Sequence, residues 1–328
     1  MSVSRIQDRR RTVTVISAAG VDAGKNFLDV AVAPGGRAFR VANAPRGISV
    51  VIERLLRSGI RRVVLEAIGP YAAALVRALA KAGFEVGLVN PRRIKAFRDA
   101  EGRHAKTDRL DAGLIARFAL VMSDAIRPLP SEDQLAAKAL ATRRRQIVEM
   151  IAMEKTRLKQ ASDRLVASSH RAAIATLSAE RKRIEEALDR KLDADPLNKR
   201  RREILTSIPG IGKQVASVLL TDLPELGTTD RRGIASLAGL APHPHQSGMA
   251  PGRNQIAGGR PCVRAALYMA ALSAARFDPH LRAAYKTMRE EGKPAKVALI
   301  ATARKIVVLA NTLIKLDRPN DPNHVPNS

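Results

Sequence analysis

The sequence predicts an α/β domain at the N-terminus, a charged helical spacer in the middle and a mainly α-helical domain at the C-terminus. Three observations predict it. Short β-branched runs give way to alternating strand and helix patterns before about residue 90. From Ser131 to about Glu203 the chain is charged and helix-friendly, with no internal proline until Pro196. Beyond that, Gly- and Pro-rich breaks separate long helical patterns.

Within the first domain, Thr12–Val21 is a β-branched run that reads as a strand. Gly24-Lys25 is a turn signal, Phe27–Ala33 a second strand, and Pro34-Gly35-Gly36 a turn into a third, Arg37–Ala42. Three short strands joined by tight turns predict an antiparallel meander. Gly47–Ser58 has helical spacing through Ile48, Val51 and Leu55. Val63–Leu65 is a short apolar strand, Tyr71–Ala82 a helix and Val86–Val89 another strand. This alternation implies parallel pairing through helical crossovers. A meander followed by alternating units is the RNase H-like order.

Pro91–Leu120 reads as helical and basic, and Pro128-Leu129-Pro130 as a boundary. In the spacer, Ile151, Leu158 and Leu165 recur every seven residues, as do Leu177 and Ile184. The heptad holds over only part of the stretch, so a helical hairpin or short coiled coil is expected. An arm for dimerisation or nucleic acid and a plain solvated spacer both fit it. Ile208–Gly212 lies between two helical stretches, and Gly239–Gly259 reads as loop. Arg264–Phe277, Pro279–Glu291 and Ala295–Leu316 read as helices, and a polar, proline-rich tail follows. The expected divisions are 12–125, 131–202 and 203–316, with a disordered tail at 317–328.

Composition narrows the function. The 328 residues carry 57 Lys and Arg against 31 Asp and Glu, a formal charge of +26. Such a surplus attracts polyanions, and nucleic acid gains further from counterion release. The charge is spread along the chain rather than confined to one amphipathic helix, which disfavours an anionic membrane. With no Trp, 3 Tyr and 6 Phe, a base-stacking platform is not the main binding device. The single cysteine, Cys262, excludes an intrachain disulfide framework and suits a reducing compartment. The apolar run Val297–Leu316 is interrupted by Arg304 and Lys305, so no membrane span is expected. Arg9–Arg11 before Val13–Ala19 imitates a signal peptide, but the run is short and leads straight into Asp22 and Lys25.

Three constellations could carry chemistry. Asp22 ends the first strand and Glu66 ends the strand Val63–Leu65. Those strands are neighbours in the expected sheet. Asp108 and Asp111 are three apart on a predicted helix and share a face. Clustered carboxylates repel unless protonated or bound to cations. Hard oxygen ligands suit Mg²⁺ or Mn²⁺, and two such ions assist phosphodiester chemistry. Taken singly, each acid is more often a cap or a solvated residue. The second constellation is Ile208-Pro209-Gly210-Ile211-Gly212 followed by Lys213, a turn that opens a helix and presents backbone N–H groups to phosphate. It resembles a helix-hairpin-helix element, though a plain helix corner fits too. The third is the loop Ala241–Gly248, in which Gly248 leaves room around the Ser247 hydroxyl. Arg253, Arg260 and Arg264 follow and could hold a phosphate bidentately. His243 and His245 lack partners for a zinc site.

Taken together, the motifs resemble the DEDD transposase family of insertion sequences, which includes the Piv-type DNA invertases. In the first half the matching pieces are Gly20–Lys25 with Leu28-Asp29-Val30, Leu65–Gly69, Asn90-Pro91-Arg92 and Ala105–Ala112. In the second half they are Ile208–Gly212, Leu223–Gly227, Leu240-Ala241-Pro242 leading to Ser247-Gly248, and Gly258-Gly259-Arg260. Val263-Arg264, Leu267–Leu272, Gly292-Lys293-Pro294 and Lys296–Leu299 complete the set, which runs in order from Gly20 to about Lys315.

The resemblance implies a RuvC-like N-terminal domain, a helical linker and a C-terminal transposase domain. It implies that Asp22, Glu66, Asp108 and Asp111 hold Mg²⁺, and that Ser247 attacks DNA to form a phosphoserine link. It also implies a structured guide RNA encoded by the element, donor and target DNA as substrates, and action in the cytoplasm at the nucleoid. Dimers or tetramers are implied too, with acids and serine drawn from different subunits. One departure stands out: the family's Glu-Ala-Thr-Gly is Glu66-Ala67-Ile68-Gly69 here, which removes a hydroxyl beside the acids. The expected function is insertion-sequence transposition. The alternatives are a DNA invertase of the same family, a water-using RuvC-like nuclease that needs no Ser247, and a non-catalytic nucleic-acid binder.

Overall fold

The computed structural model describes residues 17–66, 70–102, 108–122, 126–243 and 255–321. Pro70, residues 108–110, Arg127, Pro128 and His243 are described by their backbone alone. The chain divides into two units, residues 1–130 and 131–328.

In the first unit, β1 (Ala18–Ala23), β2 (Phe27–Ala33) and β3 (Phe39–Ala42) form the meander. Next come α1 (Pro45–Arg57), β4 (Arg62–Glu66), a 3-10 turn (Pro70–Ala72), α2 (Ala73–Lys81) and β5 (Glu85–Val89). The unit closes with α3 (Pro91–Ala100), α4 (Asp108–Val121) and β6 (Arg127–Pro128). The sheet order is β3-β2-β1-β4-β5-β6. β1 is antiparallel to β2 and parallel to β4, and β4 is parallel to β5. This mixed sheet, a meander extended by βαβ crossovers, is the RNase H/RuvC fold.

Strand alternation sorts the side chains between two cores. Ala19, Val21, Leu28, Val30, Val63 and Leu65 point to the face covered by α1 and α2, where they meet Val51, Leu55, Leu75 and Leu79. Ala18, Val64 and Val89 point to the opposite face and pack with Ile94 of α3 and with Leu114, Ile115, Phe118 and Ala119 of α4.

Two differences from the sequence reading have simple causes. The basic stretch Pro91–Leu120 is two helices, because Gly102 at φ 67° turns the chain out of the helical conformation after α3. The domain also continues past residue 125, because Leu88 of β5 pairs antiparallel with Arg127. Pro128 is tolerated there because β6 is an edge strand with a free side. The expected first strand begins at Ala18 among the described residues, and Thr12–Ile16 lie outside them.

The second unit starts with a helical hairpin, α5 (Glu132–Gln160) and α6 (Arg164–Asp193). Ser131 and Gln134 form a reciprocal capping box that starts α5, and Asp163 caps α6. The two helices are antiparallel, tied by Lys191 to Asp133, Arg144 to Glu185, and His170 to Glu154. There follow α7 (Pro196–Thr206), α8 (Lys213–Asp222), α9 (Arg231–Leu237) and a short ladder of β7 (Pro242–His243) with β8 (Gln255–Ile256). The chain ends in α10 (Pro261–Phe277), α11 (Pro279–Glu290) and α12 (Ala295–Lys315).

α12 is long and apolar enough to cross a membrane, alone among the described residues. It is a core helix here: Ala303, Ile306, Val307 and Ala310 are buried with Ile204, Leu219 and Leu267 in one cluster. Residues 317–321, expected to belong to a disordered tail, are held to the domain, and 322–328 lie outside the described residues. Arg200 of α7 holds Asp317, and the Asn320 N–H donates to Ser207 Oγ at 2.7 Å.

Candidate active site

Residues of like parity on a strand share a face, so Asp22 lies on the face of Ala18 and Glu66 on the face of Val64, both toward α4. Val21 pairs with Leu65 in the parallel ladder, which makes Asp22 and Glu66 the next register step at the ends of β1 and β4. Both are partly buried. The third element is brought in by Gly20. A Cβ on Gly20 would lie 2.3 Å from the Ala112 carbonyl oxygen and 2.3 Å from the Ala116 nitrogen. The backbone of α4 therefore rests directly on β1, two residues before Asp22. Ala112 follows Asp111 immediately, and Asp108 opens the same helix one turn earlier. Asp108 belongs to that first turn by its backbone, and its side chain lies outside the described residues.

Two arginines accompany these acids. Arg98 of α3 donates from Nη2 to Asp111 Oδ1 at 2.5 Å, with side chains 19% and 13% exposed. On the other flank, Asp29 is the cross-strand partner of Asp22 and Arg40 the partner of Asp29. Asp29 is buried, and Arg40 grips it from Nη2 at 2.8 Å and from Nε at 3.0 Å. A second carboxylate beside Asp22 would repel it, and the guanidinium offsets that charge. The sequence reading passed over Arg98 and Arg40. For Arg40 the available signal was an Arg opposite an Asp in a meander; for Arg98 the sequence offered none.

The donor set consists of carboxylate oxygens, the ligands a hard divalent cation takes. Among the described residues no three acids or histidines are grouped closely enough to hold a metal. The fit therefore rests on Asp22 beside Glu66, and on Asp111 already drawing a cationic group to itself.

The second candidate site is in the other unit. Gly210 has φ 87°, and a Cβ there would lie 2.4 Å from the Ala270 carbonyl oxygen, so this glycine lets the turn pack on α10. Ile211 is buried in the core and Pro209 is partly buried. The surface open to a phosphate is thus narrower than the whole motif: Gly212, which precedes α8, and exposed Lys213. Arg260 forks onto Glu225 with two bonds of 2.7 Å. Arg264 donates from Nη1 to the carbonyls of Gly258 at 3.0 Å and Gly239 at 3.3 Å. Both arginines therefore brace the roots of the β7–β8 connection. Ser247, Gly248, His245 and Arg253, together with Ile68, lie outside the described residues.

The N-terminal mixed sheet, with acids at the ends of its central parallel strands, resembles the RNase H/RuvC fold and is followed by a mainly helical region. Comparison with known proteins makes the assignment finer. A family profile described as a transposase of the DEDD, IS110 type matches residues 19–167, and one described as the IS116/IS110/IS902 transposase family matches residues 202–286. Together they span well over half the chain, in order. The pilin gene-inverting protein of Moraxella bovis is 29% identical over 264 residues, covering 79% of this chain and 81% of that protein. A 43.6 kDa protein of insertion element IS110 from Streptomyces coelicolor is 32% identical over 127 residues, covering 38% of this chain and 30% of that one. Thermus thermophilus RuvC with a Holliday junction aligns with 35% of this chain and 99% of its own, at 20% identity and a TM-score of 0.28. The chain belongs to the IS110/Piv-type family of transposases and invertases, and is a DNA-acting enzyme of the recombinase kind.

Proposed function

We propose that this protein is a site-specific DNA recombinase that inverts a DNA segment between two defined sites. The observation that carries the chemistry is the pairing of Asp22 and Glu66 at the ends of adjacent parallel strands, under the helix bearing Asp108 and Asp111. Inversion is favoured over transposition by the extent of the match. The gene-inverting relative corresponds over four-fifths of its length, whereas the insertion-element protein corresponds over less than a third.

In this reading Asp22, Glu66, Asp108 and Asp111 hold Mg²⁺ or Mn²⁺. When bound, the ion supplies Lewis-acid stabilisation of charge on the phosphoryl oxygens. The Ser247 oxygen attacks the scissile phosphorus, forming a serine–phosphate ester and releasing the deoxyribose oxygen, which takes a proton. A hydroxyl from the partner strand then attacks the same phosphorus and returns the serine. No bond energy is lost, because one phosphodiester replaces another. Gly212, Lys213 and the basic surface grip the DNA backbone, with Arg253 as a further phosphate ligand. Arg260 and Arg264 act by holding the roots of its loop.

Transposition guided by a structured RNA is the second reading, favoured by the transposase profiles that match both halves of the chain. It makes the protein a dimer or tetramer working on donor and target DNA at the nucleoid.

The test is a plasmid carrying two candidate recombination sites in inverted orientation, with and without the flanking non-coding DNA. Wild type is compared with Ser247→Ala and Asp22→Asn. Inverted product from wild type alone, with a protein–DNA adduct that requires Ser247, supports the proposal. Cutting and joining by Ser247→Ala would make a water-using nuclease the better reading. Joined product only when the transcribed flanking DNA is present would favour the RNA-guided one.

A further inference from the structure

Arg98 is a basic side chain that sits on a site acid, Asp111. It comes from α3, whose docking on α4 does not depend on it alone. Ile94 is buried against α4, and the rings of Phe97 and Phe118 meet edge to face at 5.4 Å. At the end of α3, Arg117 of α4 donates from Nη2 to Glu101 at 2.8 Å. The helices thus have an apolar seam and a second ion pair of their own. The docking of α3 on α4 therefore does not rest on the Arg98–Asp111 contact alone.

The contact also has a chemical consequence. A guanidinium and a divalent cation ask the same thing of Asp111, an anionic oxygen. Both cannot hold Oδ1 fully, because two cations at one oxygen repel each other. Without an ion, the guanidinium offsets the charge of Asp111 close to its neighbouring acids. With an ion present it becomes surplus positive charge at the edge of the site. A planar fork of N–H donors freed there is suited to a phosphate. The exposed residues Arg92, Arg93 and Lys95 on the same helix extend that positive edge outward.

We propose that Arg98 is an internal counter-cation that occupies Asp111 until a divalent ion displaces it, and that the freed guanidinium then binds the phosphate backbone of the DNA at the site. This rests on the reading of the four acids as a metal site. The exchange couples metal loading to DNA binding: each favours the state the other needs.

The test uses the full chain and Mn²⁺ alone, titrated with free Mn²⁺ read by electron paramagnetic resonance. Wild type is compared with Arg98→Gln, Arg98→Lys, Arg117→Gln and Asp22→Asn. Removing the competing charge is expected to tighten Mn²⁺ binding on the order of tenfold in Arg98→Gln. Arg98→Lys, which keeps the charge, stays near wild type, and Arg117→Gln loosens α3 without tightening Mn²⁺. Duplex DNA binding by anisotropy provides a second reading. Wild type gains affinity on Mn²⁺ loading, and Arg98→Gln loses most of that gain. Mn²⁺ affinity in Arg98→Gln equal to or weaker than wild type would overturn the proposal and leave Arg98 a structural tie. If Asp22→Asn binds Mn²⁺ as wild type does, the acids are not the metal site, and the underlying reading fails instead.

Discussion

Replacing Gly20 with alanine tests whether the site depends on the close approach of α4 to β1. The added Cβ would stand 2.3 Å from both the Ala112 oxygen and the Ala116 nitrogen, where ordinary contact begins at 3.4 Å. The obstacles are helix backbone, so no side chain can swing aside. α4 must retreat by roughly 1 Å or the strand must bend, and overpacking of this kind costs about 1–3 kcal/mol. The same shift carries Asp108 and Asp111 away from Asp22 and Glu66. A misplacement of about 1 Å can cost on the order of a hundredfold in rate. Gly113 is the matched control. It lies inside α4 with nothing within 4 Å of its would-be Cβ, so alanine there should stabilise the helix by about 0.5–1 kcal/mol. The assays are hydrogen exchange across α4 and recombination on the inverted-site plasmid. Faster exchange and loss of product are expected for Gly20→Ala, with neither for Gly113→Ala. Wild-type exchange and activity in Gly20→Ala would refute the packing argument and, with it, the placement of the acids.

Three further outcomes follow from the second unit and the helical hairpin. Gly210→Ala combines a φ of 87° with a Cβ 2.4 Å from the Ala270 oxygen, so it should destabilise the helical domain by about 2–4 kcal/mol, read as a fall in melting temperature. If it instead weakens DNA binding with no change in melting, the motif's glycine serves phosphate contact rather than packing. Arg260→Ala removes two charge-assisted bonds to Glu225 and should cost about 1–3 kcal/mol; a double-mutant cycle with Glu225→Gln would show coupling, and additive effects would dismiss the pair. Glu154 has its pKa held below the ordinary value of 4.5, first by the hydrogen bond with His170 and then by Arg157. A depressed carboxylate adds stability above its unfolded pKa and loses it as pH falls through the folded one. The hairpin should therefore weaken on acidification below about pH 4.5, and Glu154→Gln should flatten that acid limb in a melting series.

Much of this protein is legible in its sequence because local patterns are strong. β-Branched runs, tight Gly turns and helical spacing at Ile48, Val51 and Leu55 specify the elements of the sheet domain, since strand and helix periods differ enough to be told apart. Asp22 and Glu66 could be nominated because strand ends in an RNase H-like order become neighbours. A continuous helix over Pro91–Leu120 could not be ruled out from pattern alone, because one glycine inside a basic, helix-friendly run reads as tolerable. The strand Arg127–Pro128 was hidden because two residues carry no period; it exists only because β5 offers an open edge.

What only the tertiary structure decided concerns charge and close contact. The arginines at 260 and 264 read as phosphate ligands from their type, yet folding spends them on Glu225 and on the Gly239 and Gly258 carbonyls. Gly210 reads as a phosphate-binding glycine, yet its surroundings are the backbone of α10. Arg98 carries no signal in the sequence, and its place on Asp111 follows from the docking of α3 on α4. Composition and spacing determine which elements form and which residue types are available. The partner of a long charged side chain is set by what other parts of the chain bring within about 3 Å of it, and that is a property of packing.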